Sequence, residues 1–152
     1  MRSAKEMVLL IGAMVVPAAR CLPPTQVPQA NIIHVQVLGL RNDKGQVVCA
    51  LYASRDGFSK QSEKAQAHMS SAIAERQAVC EFSGIAPGTY AVSVFHDENS
   101  NNKLDIKFMG IPREGVGALN DAKGHFGPPK FDMVAFRFAG GRLELKITIT
   151  YL

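Results

Sequence analysis

No stretch of this chain is apolar for long enough to span a bilayer, no long amphipathic helix recurs, and no strand–helix unit repeats along its 152 residues. These absences argue against helical membrane spans, helical bundles and doubly wound α/β folds. There is no Gly-x-Ser-x-Gly elbow, no phosphate-cradling Walker loop and no dinucleotide-binding glycine fingerprint. The α/β-hydrolase, nucleotide-hydrolase and nicotinamide-dependent classes therefore lose their usual sequence support. Four histidines, at 34, 68, 96 and 125, include no pair at the close spacing of a helix-borne zinc site, and no paired-carboxylate catalytic centre stands out. The net charge of +4 is mild, and no basic run is interleaved with aromatics, so nucleic acid is not an expected partner.

What is present begins with a targeting pattern. Arg2 and Lys5 precede the apolar run from Met7 to Val16, and Pro17-Ala18-Ala19 follows. Basic, apolar and small segments in that order read as a secretory signal peptide over residues 1–18, cleaved after Ala18. The apolar run is about half the roughly 20 residues of a spanning helix, so a permanent anchor is the weaker reading, and no integral span is expected after cleavage. Cys21 raises the alternative of a lipoprotein, but Arg20 before it fits such processing poorly. Residues 19–30, with Pro23, Pro24 and Pro28, read as an extended leader. A single domain is expected over 31–152, and the protein is expected to be periplasmic or secreted. Loss of Arg2, Lys5 and Glu6 takes 17 basic and 13 acidic residues to 15 and 12, a balance of +3.

Within that domain the pattern is period two. Ile33, Val35 and Val37 alternate with His34 and Gln36, and Val47, Cys49 and Leu51 alternate with Val48, Ala50 and Tyr52. The Arg-Asn-Asp-Lys-Gly sequence between them, with Gly45 free to take positive φ, predicts an antiparallel hairpin. Ser54 to Gln77 is polar and alanine-rich and reads as a long crossing loop with a short helix. Ala78 to Phe82 is a further strand. Pro87-Gly88 predicts a type II turn with positive φ at Gly88, leading into a strand over Tyr90 to Phe95 that is covered on both faces.

A long segment after Asp105 lacks sustained periodicity, yet carries Phe108, Ile111, Phe126 and Phe131, which are expected to pin it to the sandwich. Val134, Phe136 and Phe138 form a strand, Gly140-Gly141 a tight turn, and Leu143 to Tyr151 the clearest amphipathic strand. The expected fold is all-β, an antiparallel two-sheet sandwich of immunoglobulin-like or transthyretin-like type with one long ordered loop. A barrel is the alternative. Cys49 and Cys80 lie in strands, and an exported protein meets an oxidising compartment, so a disulfide is expected in place of two buried thiols. It would close a loop of about 30 residues, for about 3 to 4 kcal/mol by chain entropy.

The candidate site is the loop after Phe95. Calcium takes six to eight oxygens, and loops supply them from alternate positions. Asp97, Asn99, Asn101 and Asp105 stand at positions one, three, five and nine of such a loop, with the Lys103 carbonyl at seven. Phe108 stands where a bidentate Glu is wanted, and Asn102 where a glycine is wanted, so the site would be weak, on the order of 0.1 to 1 mM. The competing reading is a solvated loop held by Asx-turns without metal. His96, Arg113, Glu114 and His125 are further candidates for the surface around it. His96 and His125 would be the acid/base groups if the protein were instead a periplasmic hydrolase, although a structural histidine is the simpler reading of each.

Several separated motifs carry a family likeness. Gly84-Ile85-Ala86-Pro87-Gly88-Thr89-Tyr90 through His96-Asp97-Glu98-Asn99, then Leu104-Asp105, Gly110-Ile111-Pro112-Arg113-Glu114-Gly115, Phe126-Gly127-Pro128-Pro129-Lys130-Phe131 and Ala135-Phe136, resemble the exported bacterial family known as domain of unknown function 2141. The resemblance covers about Ile32 to Tyr151. It implies a secreted or periplasmic β-sandwich with no assigned activity, in which glycines usually stand where this chain has Ser100 and Asn102. The Pro-Gly-Thr-Tyr turn is also similar to that of surface-protein repeat sandwiches and carboxypeptidase regulatory-like modules, which serve structural or binding roles. The expected function is a non-enzymatic binding or structural module contacting a protein or an envelope polymer.

Overall fold

The structure, a computed structural model, describes residues 30–122 and 127–152. The expected signal peptide, the leader up to residue 29, Cys21, His125 and Phe126 lie outside the described residues. Eight strands run in chain order as β1 Ile32–Leu38, β2 Gln46–Tyr52, β3 Ala67–Ala72, β4 Ala78–Ser83, β5 Gly88–Asp97, β6 Val116–Ala118, β7 Phe136–Phe138 and β8 Arg142–Thr148. They form two sheets, one ordered β4-β1-β8 and the other β3-β2-β5-β6, with β7 pairing to the start of β5. The all-β sandwich is as expected, with one exception to its antiparallel pairing: β1 and β8 run parallel, with Val35 opposite Leu145.

Period-two alternation builds the core between the sheets. Ile33, Val35 and Val37 of β1, Cys80 and Phe82 of β4, and Leu145 and Ile147 of β8 meet Val47, Cys49 and Leu51 of β2 and Tyr90, Val92 and Val94 of β5. The Cys49–Cys80 disulfide joins the two sheets through this layer, closing 31 residues of chain between two fully buried positions. The chain-entropy model assigns a closure of that length about 3.5 kcal/mol.

Both faces of β2 are apolar because a second layer covers the outside of the larger sheet. Ala50, Tyr52, Ala91 and Ala118 lie under Phe58 and under Phe131 and Val134 of the short helix α1, Phe131–Val134. Phe58 stacks edge-on between Tyr52 and Phe131, at 5.2 and 5.7 Å between ring centres. The same layer covers β5, in agreement with its reading as a strand packed on both sides.

Several expectations are corrected. β1 and β2 are not a hairpin but belong to different sheets, because β1 is already flanked by β4 and β8 and the turn between β1 and β2 crosses the sandwich with Leu40 buried. The crossing loop from Ser54 contains the edge strand β3, whose AHMSSA sequence alternates with too little apolar contrast to show it, and its short helix is the single 3-10 turn Ser62–Lys64. Val134 ends α1 instead of beginning a strand. The long segment includes β6, which gives β5 a partner beyond β2. The positive φ before β5 falls at Gly84 (+70°), while Gly88 is extended and lies under the Tyr90 ring, whose hydroxyl donates to the Ala86 carbonyl at 2.7 Å. Phe131 does pin the long segment, but Phe108 and Ile111 do not, being exposed.

Candidate functional site

β5 delivers two polar residues into the interior at its C-terminal end, and both His96 and Asp97 are fully buried. Burial without partners would cost each several kcal/mol. The imidazole is satisfied on both sides: His96 Nε2 lies 2.7 Å from the Lys44 carbonyl, to which it donates, and Nδ1 lies 2.7 Å from the Tyr151 hydroxyl. That hydroxyl in turn accepts the Arg41 main-chain N–H at 3.0 Å. His96 thus ties the β1–β2 turn, β5 and the C-terminal segment together. Gly45 closes the same junction, with φ +67° and so little room that an added Cβ would lie 1.9 Å from the Asp97 carbonyl oxygen.

Asp97 organises the loop that follows it. Its Oδ1 accepts the main-chain N–H of Asn101 at 3.0 Å, and its Oδ2 accepts that of Asn102 and the Gln46 amide, both at 2.8 Å. Glu114, also buried, holds the loop from behind by accepting the N–H of Glu98 at 2.9 Å and of Asp105 at 3.0 Å. Within this frame Asn99 Oδ1 accepts the Asn101 N–H, and Asn101 Oδ1 accepts the Lys103 N–H, as Asx-turns do. Ser100 and Asn102 take the left-handed backbone, φ 57° and 60°, at the two positions where the resembled family usually has glycine. Asparagine tolerates that conformation better than most residues.

Of the five expected ligands, the side chains of Asn99, Asn101 and Asp105 are brought together, while that of Asp97 lies beneath the loop. Asn99 and Asn101 donate their amides to the two oxygens of Asp105, at 2.7 and 3.2 Å. Positive amide ends therefore lie against the Asp105 carboxylate, while the Asn99 and Asn101 oxygens face the main-chain N–H groups of Asn101 and Lys103. An oxygen already accepting one N–H retains a second lone pair for a ligand. Phe108 contributes nothing at the twelfth position, being 92 % exposed and directed outward. Among the described residues, no three His, Cys, Asp or Glu side chains are grouped to hold a metal ion.

On the solvent side the loop borders a cleft of about 560 Å³ whose walls include Arg41, Lys44, Glu98, Asn99, Asp105 and Arg113. Glu98 is gripped by both Arg41 Nε, at 2.8 Å, and Arg41 Nη2, with Asn42 donating at 2.9 Å. The Arg41 hydrogen bonds, assisted by Asn42 and only partly opposed by burial, hold the Glu98 carboxyl well below its ordinary value, at about 2. Arg41 also stacks on Tyr151, 4.5 Å from the ring centre, and burial raises the Tyr151 phenol. Sequence reasoning missed Arg41, Gln46 and Tyr151. The first two lie in the turn and strand before the loop by about 50 residues, and only the fold brings them to it.

Of the candidates beyond the loop, Arg113 lines the cleft, Glu114 is its buried brace and His96 is structural. His125 is outside the described residues. Among the described residues no helix is long and apolar enough to cross a membrane. The bacterial family described as an uncharacterised conserved protein, domain of unknown function 2141, matches residues 35–146, and the chain belongs to that family. No curated protein and no solved structure matches the chain.

Proposed function

Starting from that membership, we propose that the protein is an exported, non-enzymatic binding or structural module of the bacterial envelope. Residues 1–18 serve as its signal peptide, 19–30 as a leader and 31–152 as the working domain, periplasmic or secreted, with acylation of Cys21 the less favoured route. The buried disulfide supports export, since such bonds persist in oxidising compartments. The observation that carries the reading is the cleft beside Asp105: charges of both signs, fixed on a frame of buried carboxylates. His96, the residue on which a hydrolase would depend, has both nitrogens engaged and no exposure. That favours a surface for recognition over one for proton transfer. The partner is a protein or an envelope polymer, and its contacts are Lys44, Asn99 and Arg113. Cosedimentation with isolated cell-wall polymer checks this, and the paired variant Lys44→Glu with Arg113→Glu is expected to lower retention about fivefold, as loss of rim charges does. Unchanged retention contradicts it.

The loop adds a weak calcium site. Asp97, Asn99, Asn101, the Lys103 carbonyl and Asp105 are its donors, the ion displacing the Asn amides from Asp105 and taking the second lone pairs of the Asn oxygens, and two carboxylates without a third place it near 1 mM in order of magnitude. At about 10 mM calcium such a site adds about 1.4 kcal/mol, or roughly 5 °C in melting temperature for a domain of this size. Thermal melting of the protein with and without calcium reads that shift, and Asp105→Ala is expected to remove it. A melting temperature unmoved by calcium contradicts the metal reading and leaves the loop as an Asx-turned element of the cleft.

A further inference from the structure

Between Asp105 and Arg113 the chain makes a small closed hairpin. Arg113 N donates to the Asp105 carbonyl at 2.8 Å, Lys107 N to the Ile111 carbonyl at 2.6 Å, and Ile106 pairs with Pro112. Its tip, the 3-10 turn Phe108–Gly110, holds Met109 at φ 69° and Gly110 at 76°. The backbone is therefore pinned, and a methionine is kept in a conformation that side-chain-bearing residues rarely adopt. The side chains nevertheless face water: Phe108 is 92 % exposed, Met109 84 %, Ile106 59 % and Ile111 45 %. Single exposed apolar residues need no explanation, but four large ones within one six-residue turn do. Around them Lys103, Lys107 and Arg113 are exposed, and the one carboxylate on the same stretch, Asp105, is held by two asparagine amides.

We propose that this hairpin docks the protein onto a bilayer containing anionic phospholipid. Phe108 and Met109, with Ile106 and Ile111 at the shoulders, enter the boundary between headgroups and acyl chains, while Lys103, Lys107 and Arg113 meet the lipid phosphates. The pattern of an apolar tip flanked in the chain by exposed basic residues is the chemistry of interfacial binding: apolar area gives depth, and cations are drawn to the negative surface. Long basic side chains can keep their heads at the phosphates while their stems follow the apolar tip. A second copy of the chain is a poorer occupant. Four side chains on a tight convex turn offer on the order of 500 Å², less than the roughly 800 Å² per partner of a stable interface.

The chain contains no tryptophan, so one introduced at the tip reports on that position alone, whatever the N-terminal segment does. Phe108→Trp, in vesicles of phosphatidylglycerol and phosphatidylcholine, is expected to show a blue-shifted emission and quenching by brominated acyl chains. Both effects should weaken in pure phosphatidylcholine and in high salt. Val79→Trp, on β4 of the other sheet, should show neither. Adding Met109→Ser and Lys107→Glu to the Phe108→Trp chain should weaken vesicle affinity at least tenfold while leaving the melting temperature within about 2 °C, since both side chains are exposed and the Lys107 contact with the Leu152 carbonyl lies at the surface. The proposal is overturned if the introduced tryptophan keeps its water-exposed emission at saturating phosphatidylglycerol vesicles, or if those two substitutions leave affinity unchanged. It is equally overturned if the blue shift arises without vesicles through self-association, which would assign the tip to a second copy.

Discussion

The segment from Asp97 to Asp105 and the hairpin from Asp105 to Arg113 share a residue, yet the first is anchored by a buried polar side chain and the second leaves its largest apolar ones in water. In the first, Asp97 turns inward beneath a loop whose residues 99 to 103 face solvent. Asp97 is fully buried and receives three donors, while Glu114 receives two from behind. In the second, apolar groups turn outward, with Phe108 and Met109 almost wholly in water. The difference teaches that polarity does not decide exposure at this end of the sandwich. What decides it is whether a backbone N–H is free to be capped. A chain that reverses tightly without a helix or sheet ladder leaves its amides unpaired, and a short carboxylate beneath the turn satisfies several of them together. The hairpin pairs its own backbone and leaves its four large apolar side chains outside the core, with Lys107 reaching the C-terminal segment at the Leu152 carbonyl.

Removing Asp97 should therefore damage the molecule most. Asp97→Ala strands the Asn102 amide, leaves the Asn101 amide with Asn99 Oδ1 alone and the Gln46 side chain with Asn102 Oδ1 alone, and a loss of about 2 to 3 kcal/mol is expected in urea unfolding. A loss below about 1 kcal/mol would mean that water replaces the carboxylate freely, and the contrast between the two segments would then be one of geometry only. Gly45→Ala should come close behind, at about 2 to 3 kcal/mol, because its left-handed backbone and the Asp97 carbonyl against it leave no room for a methyl group.

The exposed rim should matter less. Arg41→Ala breaks the forked pair with Glu98 and uncovers Tyr151, and about 1 kcal/mol is expected for a pair in partial contact with solvent. Its pH dependence has a definite sign. The Glu98 carboxyl titrates near 2 in the folded protein and near 4.5 otherwise, so the pair's contribution is fully present above about pH 4.5 and fades as pH falls toward 2. Comparing acid unfolding of the Arg41→Ala variant with the parent protein isolates it: the two curves should converge below pH 4.5. Smallest of all should be Phe108→Ser with Met109→Ser, within about 0.5 kcal/mol of the parent by thermal melting. A larger loss would show that the hairpin's apolar residues support the fold after all.

Much of the sandwich was legible because its strands alternate. β1, β2, β4, β5 and β8 each carry three or more apolar residues at spacing two, and Cys49 and Cys80 occupy core positions in that alternation. β3 was hidden because its inward residues, Ala67, Met69 and Ser71, are weakly apolar, and β6 because a strand of three residues has no period to show. The pairing of β1 was illegible for another reason. Turn chemistry at Asn42 to Gly45 signals a reversal, and a reversal within one sheet and a crossing between two sheets use the same residues.

At the site, the spacing of Asn99, Asn101 and Asp105 did identify side chains that meet in space. It did not show that Asp97 lies beneath the loop, or that Glu114 and Gln46 share its work, since those contacts span 9 to 56 residues. Phe108 and Ile111 were misplaced because apolar residues in a glycine-bearing loop ordinarily pack down, and nothing local distinguishes one that does not.

Amide hydrogen exchange tests the contrast most directly. The N–H groups of Glu98, Asn101, Asn102 and Asp105 donate to buried carboxylates, so they should exchange at least about tenfold more slowly than those of Phe108 and Met109. Asp97→Ala should abolish the protection at Asn102 and weaken it at Asn101, which keeps Asn99 Oδ1 as an acceptor, while leaving the hairpin tip unchanged. Equal exchange across residues 98 to 109 in the parent protein would contradict the account, because the loop would then be held by nothing beneath it.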